Sequence, residues 1–255
     1  QITELPFTVK GAVCFENQAQ FHPLKFIKHL VAQLTIYENT KVLSVKEHMV
    51  YTNTGTIWAE NIVFACHYPI INVPGFYFLR QHQERSYVLA LETGKELSGM
   101  YYSIDEDGLS FRSVGEVLLL GGGSHRTGKC ICHCSDVNKE KYGYTFLQRM
   151  ADKNYRGTRE VARWAAQDCM PHDEIPFIGK YSIFRPYWYV ASGFKKWGMT
   201  SSMVSAMLIT SHLCGKYSTY EDTFSPQRLL IRMGISNFIK DVGESIKGLS
   251  KGLFA

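Results

Sequence analysis

Tyr189-Val190-Ala191-Ser192-Gly193-Phe194-Lys195-Lys196-Trp197-Gly198-Met199-Thr200 reads as a strand, a glycine turn and the start of a helix. The strand is expected over Tyr187–Ser192. The helix is expected from about Met199 to Leu213, with Cys214-Gly215 as its stop. This order presents backbone N–H groups and the positive end of a helix dipole at one place. Gly193 and Gly198 let a ligand come close to the backbone. The plain alternative is a strand–turn–helix in which glycine is only punctuation.

Four further motifs precede this one in a fixed order. They are Gln18-Ala19-Gln20-Phe21-His22-Pro23-Leu24, Ile62-Val63-Phe64-Ala65-Cys66-His67-Tyr68-Pro69, Leu118-Leu119-Leu120-Gly121-Gly122-Gly123-Ser124-His125-Arg126-Thr127-Gly128, and Trp164-Ala165-Ala166-Gln167-Asp168-Cys169-Met170. The last leads into Ile175-Pro176-Phe177-Ile178-Gly179. Pro23 suits a first helical turn, and Leu24, Ile27, Leu30, Val31 and Leu34 share one face of the predicted helix. Strands are expected over residues 11–16, 42–52 and 56–66. The run Ile62–Cys66 suits a strand buried on both faces of a parallel sheet. Arg85–Glu92, Gly99–Ile104, Leu109–Arg112 and Glu116–Leu120 suggest an antiparallel sheet. Helices are expected over Lys141–Tyr155 and Thr158–Ala166.

The chain has 255 residues, 45% hydrophobic and 20% charged, which is enough for a sizeable core in one or two domains. Fifteen Tyr, fifteen Phe and four Trp suit both cores and pockets for flat organic ligands. A net charge of +5 without a clustered basic face before the last thirty residues argues against nucleic-acid binding. No run is long enough to span a membrane and no secretory signal follows Gln1, so seven Cys read as reduced thiols of a cytoplasmic protein. Residues 226–255 are basic and amphipathic, which reads as a packed helix or a connector, with a membrane-surface helix as the alternative. Cys130-Ile131-Cys132-His133-Cys134 spaces its thiols one residue apart and has no second pair. It reads as a loop rather than a metal site.

The five motifs together resemble the D-amino-acid oxidase, glycine oxidase and sarcosine oxidase superfamily of FAD-dependent oxidoreductases. They are closest to the bacterial type that carries a Rieske iron–sulfur domain. The resemblance runs to about Arg228 and implies an α+β fold. That fold pairs an antiparallel or mixed substrate-domain sheet (residues 1–20 and 68–165) with the C-terminal part of a Rossmann-like FAD-binding domain (residues 21–67 and 166–225). It implies FAD as cofactor, a small amine or amino acid as substrate, and oxidation of a C–N bond. The turn beside the flavin ring would be built from Gly193, Phe194, Trp197, Gly198, Met199 and Thr200, with Gly179 on the strand before it.

The family opens with a strand, a G-x-G-x-x-G turn and a helix that hold the FAD pyrophosphate. No such motif occurs here, and Gly121-Gly122-Gly123 is expected to be a loop. The resemblance therefore implies a segment before Gln1 that carries the phosphate cradle, without which this chain would be inactive, and a Rieske domain beyond Ala255. The rival reading is a non-catalytic binding or scaffold module that retains the substrate-domain shape.

Asp168 stands near the place where glycine-oxidase-like relatives hold an Arg for a substrate carboxylate. A carboxylate there attracts an ammonium or cationic substrate, or else caps or pairs locally. Cys169-Met170 stands where sarcosine oxidases carry a covalent thioether to the flavin; the other reading is a small buried thiol. His125 and Arg126, at a strand end, are candidates for orienting substrate, with an Arg bracing a loop as the alternative. Tyr87, Tyr101 and Tyr102 are candidate pocket-wall residues or core.

Overall fold

The computed structural model describes residues 3–71, 73–105, 108–128 and 143–228. The chain divides into two compact units, residues 1–60 and 61–255.

In the first unit, α1 spans Pro23–Val31. His22 caps it by accepting a hydrogen bond from Lys25 N at 3.3 Å, and Pro23 occupies the first turn, where its missing N–H is no loss. The expected helix ends three residues early, and none of α1 is buried. The expected strand over residues 42–52 is a hairpin instead: β1 (Val42–Lys46) turns at Glu47 with φ +48° and pairs antiparallel with β2 (Met49–Thr52). β3 (Thr56–Trp58) completes this sheet. Residues 11–16 form no strand; Val13 and Phe15 are exposed, and no other strand pairs with them.

The second unit contains two sheets. β4 (Ile62–Phe64) lies parallel to β11 (Arg185–Ser192), which pairs antiparallel with β10 (Phe177–Ser182). The predicted strand over residues 56–66 is thus split between two sheets. The parallel pairing expected of Ile62–Cys66 is present, although Val63 remains exposed on one face. α3 (Gly198–Leu213) packs on this sheet through Leu208 and Ile209, which meet Ile178, Tyr189 and Ala191 in a buried cluster joined by Phe194 and Val204. On Phe64, Tyr181 and Trp188 the rings pack edge-on or tilted at centroid distances of 4.9 to 5.8 Å. Tyr77, in a short 3-10 turn, joins them and donates its hydroxyl to Tyr181 O at 2.9 Å.

The larger sheet has the order β6-β7-β8-β5-β9: β5 spans Gln81–Glu92, β6 Tyr101–Tyr102, β7 Ser110–Val114, β8 Val117–Arg126 and β9 Arg159–Pro171. All its pairings are antiparallel. α2 (Gly143–Asn154) covers one face and buries Leu147 against β5 and β8. The segment expected to be a helix over Thr158–Ala166 is the start of β9. Its Ala, Arg and Glu favour a helix locally, but pairing with β5 along Arg159–Pro171, broken only by a register shift at Ala90/Leu91, overrides that preference.

The glycine run is not a loop either. β8 continues through it to Arg126, and the pairing with β5 slips between Arg85 and Tyr87. Gly123, at φ +63°, takes up this bulge. A side chain there would start 2.9 Å from Gly143 N, so the bulge and the approach of α2 both require glycine.

A short α4 (Glu221–Phe224) precedes Arg228, which closes the described chain onto the loop before β10. Its guanidinium bonds both oxygens of Asp173, at 2.6 and 2.9 Å. It also donates to the carbonyls of Ile175, Pro176, Phe224 and Ser225, and lies 4.4 Å from the centre of the Phe177 ring. Arg80 stacks on the same ring at 4.5 Å and donates to Pro226 O at 2.6 Å. Burial raises the Asp173 carboxyl, but Arg228 outweighs it and holds the group below its ordinary value. The Cys130–Cys134 run and residues 229–255 lie outside the described residues.

Candidate functional site

The glycine turn after β11 is pinned from several sides. Lys195, at φ +53°, donates its N–H to Cys169 O at 2.9 Å, which ties the turn to the end of β9. Ser192 donates its hydroxyl to His67 O at 2.6 Å and accepts from Gln81 Nε2 at 3.2 Å. Gly193, at φ +74°, lies against Pro171; a Cβ there would stand 2.5 Å from the proline ring. Phe194 turns into the core beside Ile178 and Tyr189. Trp197 stays on the surface, 69% exposed.

α3 then begins without a side-chain cap and without an acidic residue in its first turn. Its first ladder bond runs from Ser201 N to Trp197 O, so the N–H groups of Gly198, Met199 and Thr200 lie outside the ladder. All three residues are exposed, and a Cβ on Gly198 would meet nothing within 4 Å. A cluster of outward N–H groups with open space before it fits a flat, electron-rich group such as the pyrimidine edge of a flavin.

The five-stranded sheet presents two different faces here. Side chains alternate along a strand, so Ser86 and Tyr87 point to opposite sides. Tyr87 belongs to the side covered by α2: its ring meets Tyr144 edge-on at 4.8 Å. Its hydroxyl lies 2.8 Å from His125 Nε2, while His125 Nδ1 lies 2.9 Å from Arg126 O. A carbonyl can only accept, so Nδ1 carries the proton and, in the neutral ring, Tyr87 donates to Nε2. Burial raises the Tyr87 hydroxyl.

On the other face, Glu84 stands opposite Asp168, Ser86 opposite Ala166 and Val88 opposite Trp164. Ser86 donates to Asp168 Oδ2 at 3.3 Å and lies 3.0 Å from Ser124 Oγ, which accepts from Lys196 Nζ at 2.9 Å. The two facing carboxylates are pushed apart. Burial raises Asp168 despite the nearby Lys196 and the Ser86 bond. The hydrogen bond from His82 lowers Glu84, helped by Lys196. Of two such carboxyls, the raised one is better suited to take up a proton near neutral pH.

Of the residues singled out from sequence, Gly193, Phe194, Trp197, Gly198, Met199 and Thr200 are contiguous in this turn. Tyr87 and His125 are brought together, but on the face opposite Asp168. Arg126 ends β8, where it pairs with Glu84. Gly179 sits on β10 at φ +134°, with Pro226 nearest to where its side chain would be. Cys169 is only 1% exposed, and burial, with help from Asp168 and Cys66, pushes its thiol up to about 12. Tyr101 and Tyr102 form the edge strand β6. Ser86, Ser124 and Lys196 are site residues that sequence reasoning misses; their local signals are that Ser124 follows the glycine run and Lys196 lies inside the glycine turn.

The four described cysteines are free thiols. Among the described residues no group of His, Cys, Asp and Glu could hold a metal ion, and no helix is long and apolar enough to cross a membrane.

The sequence profile of a family described as FAD dependent oxidoreductase matches residues 2–212. The protein YhfW of Bacillus subtilis (strain 168), described as a Rieske 2Fe-2S iron–sulfur protein, is 35% identical over 262 aligned positions; these cover 97% of this chain and 50% of YhfW. Among solved structures, glycine oxidase from Geobacillus kaustophilus superposes with a TM-score of 0.62 at 20% identity, covering 77% of this chain and 54% of that one. L-proline dehydrogenase from P. horikoshii gives 0.59 at 17% identity, covering 79% and 57%. At such identities the structures attest the fold, which is the α+β type expected from the motifs. The chain spans about half the length of the relatives it matches.

Proposed function

The chain belongs to the family of FAD-dependent oxidoreductases, and from that premise we propose that it forms the substrate sheet and flavin-ring side of an enzyme oxidising a C–N bond of an amine or amino acid. The observation that carries the reading is the uncapped start of α3, held beside β9 by Gly193 and the Lys195–Cys169 bond. FAD, when bound, supplies the hydride acceptor. The backbone N–H groups of Gly198, Met199 and Thr200 would hold its pyrimidine edge, and exposed Trp197 would cover it. Phe194, packed in the core, and Cys169, buried at the end of β9, would keep the turn in place. A thiol pushed up to about 12 is a poor source of thiolate, so the flavin is read as non-covalent.

Asp168 would take the substrate ammonium. Its carboxylate lies on the sheet face left open by α2, and its raised affinity for protons suits removal of an N–H proton before the C–H bond is oxidised. Placement of that C–H bond would carry much of the rate, as in any reaction between two positioned groups. The division into a substrate part (1–20 and 68–165) and a cofactor part (21–67 and 166–225) belongs to the same reading. It is supported within the second unit by β4, β10 and β11 sharing one sheet and β5 to β8 another; β9 belongs to the second sheet and runs across the 165/166 boundary. The pyrophosphate cradle would come from a segment outside this chain, and a Rieske domain would be the electron partner, as the description of YhfW suggests.

The test is the visible spectrum of this chain and of an N-terminally extended version, before and after acid precipitation. Flavin bands at about 370 and 450 nm in the extended protein support the reading. Their release into the supernatant supports a non-covalent flavin, whereas yellow colour in the pellet would assign a covalent bond. An extended protein without flavin overturns the oxidase reading and leaves the scaffold module.

A further inference from the structure

Asp168 is joined to the flavin turn by a continuous chain of hydrogen bonds across three elements. Lys196 Nζ donates to Ser124 Oγ on β8, Ser124 lies 3.0 Å from Ser86 Oγ on β5, and Ser86 donates to Asp168 Oδ2 on β9. The direction of the middle bond follows from its ends. Ser86 has one proton and gives it to the carboxylate, so Ser124 must give its own to Ser86, and Ser124 then accepts from Lys196. An ammonium that can only donate thus stands at one end and a carboxylate that can only accept at the other. Each serine is held in a single orientation. Among the described residues, Asp168 Oδ1 takes no hydrogen bond. The bulge at Gly123 displaces β8 where Ser124 comes opposite Ser86.

We propose that Lys196 is a positioning residue that, through Ser124 and Ser86, ties down Asp168 Oδ2 and leaves Oδ1 aimed at the ammonium group of a cationic substrate. This rests on the amine-oxidising reading above and adds the element that would set substrate charge preference. The other groups around Asp168 are His67, after β4, which favours its ionised form, Glu84 on β5, which opposes it, and Cys169, its neighbour on β9. Lys196 is the cation with the largest effect on Asp168. It is joined to the open sheet face from the turn that would carry the flavin, so one residue links cofactor side and substrate side.

The experiment is the 13C titration of the Asp168 carboxyl in this chain, which needs no flavin. The variants are Lys196→Met, Lys196→Arg and Ser124→Ala. Lys196 is exposed, so its replacement leaves the fold intact, as far-UV circular dichroism will verify. Loss of the cation raises the Asp168 midpoint, and Arg restores it. Ser124→Ala keeps the charge but cuts the chain, and it also raises the midpoint. An unchanged midpoint in both Lys196→Met and Ser124→Ala overturns the proposal. A response to Lys196→Met alone overturns the relay and leaves only a through-space charge. In a flavin-loaded extended protein, Lys196→Met should raise KM for a primary amine at pH 7 by a larger factor than it lowers kcat. If the titration responds as expected but the extended protein holds no flavin, the hydrogen-bonded relay stands and the oxidase reading alone fails.

Discussion

Two basic side chains reach across the second unit, and they end differently. Arg228 meets both oxygens of Asp173, four carbonyls and an aromatic ring, so its site is closed on itself. Lys196 starts a line of single hydrogen bonds that ends on a carboxylate with one oxygen unbonded among the described residues, beside a helix start with no cap. The first arrangement has nothing left to offer a ligand. The second leaves donors and an acceptor for one. On the proposed reading, stability and binding fall to different basic residues within the same unit.

The contrast breaks first at the clasp. Arg228→Met leaves Asp173 without its partner and should cost about 3–5 kcal/mol in denaturant unfolding. The same pair sets an acid limit. The folded Asp173 carboxyl lies below its ordinary 3.8, so its stabilisation is present above that pH and is lost as the pH falls through the folded value. In melts taken between pH 5 and pH 2 (roughly the carboxylate window), the wild type should lose stability with a slope that Arg228→Met largely lacks.

Gly193→Ala comes next. It forces a side chain into a left-handed backbone position and against Pro171, and should cost about 2–3 kcal/mol by thermal melting. Tyr77→Phe deletes one buried hydroxyl and leaves Tyr181 O short of a donor, for about 1–2 kcal/mol by the same measurement. Trp197→Ala sharpens the comparison from the open side. Its effect on stability should stay within about 0.5 kcal/mol, while an extended protein carrying it should retain less flavin by absorbance.

The open side was the more legible in sequence. Gly193 and the helix after it announce themselves through strand, glycine and stop signal, all local features. Asp168 stood out because relatives place a cation near that position. β9 did not stand out, because Arg159–Ala166 is rich in helix formers and its strand state is decided by β5, far away in the chain. The relay was invisible for the same reason. A serine on β5 and a serine on β8 have no pattern in common, and only the slip at Gly123 brings them together. His125 was legible as a polar residue at a strand end, but the face it takes follows from the same slip in register.

β4 and β11 are parallel neighbours separated by roughly 120 residues of chain. On a ribosome adding about 5–20 residues each second, β4 would leave the exit tunnel some 6–25 s before its partner emerges. During that interval its apolar Ile62-Val63-Phe64 edge would be exposed in the nascent chain. The window for capture by a chaperone, or for pairing with the wrong strand, is therefore set by the rate of translation rather than by the final stability of the sheet.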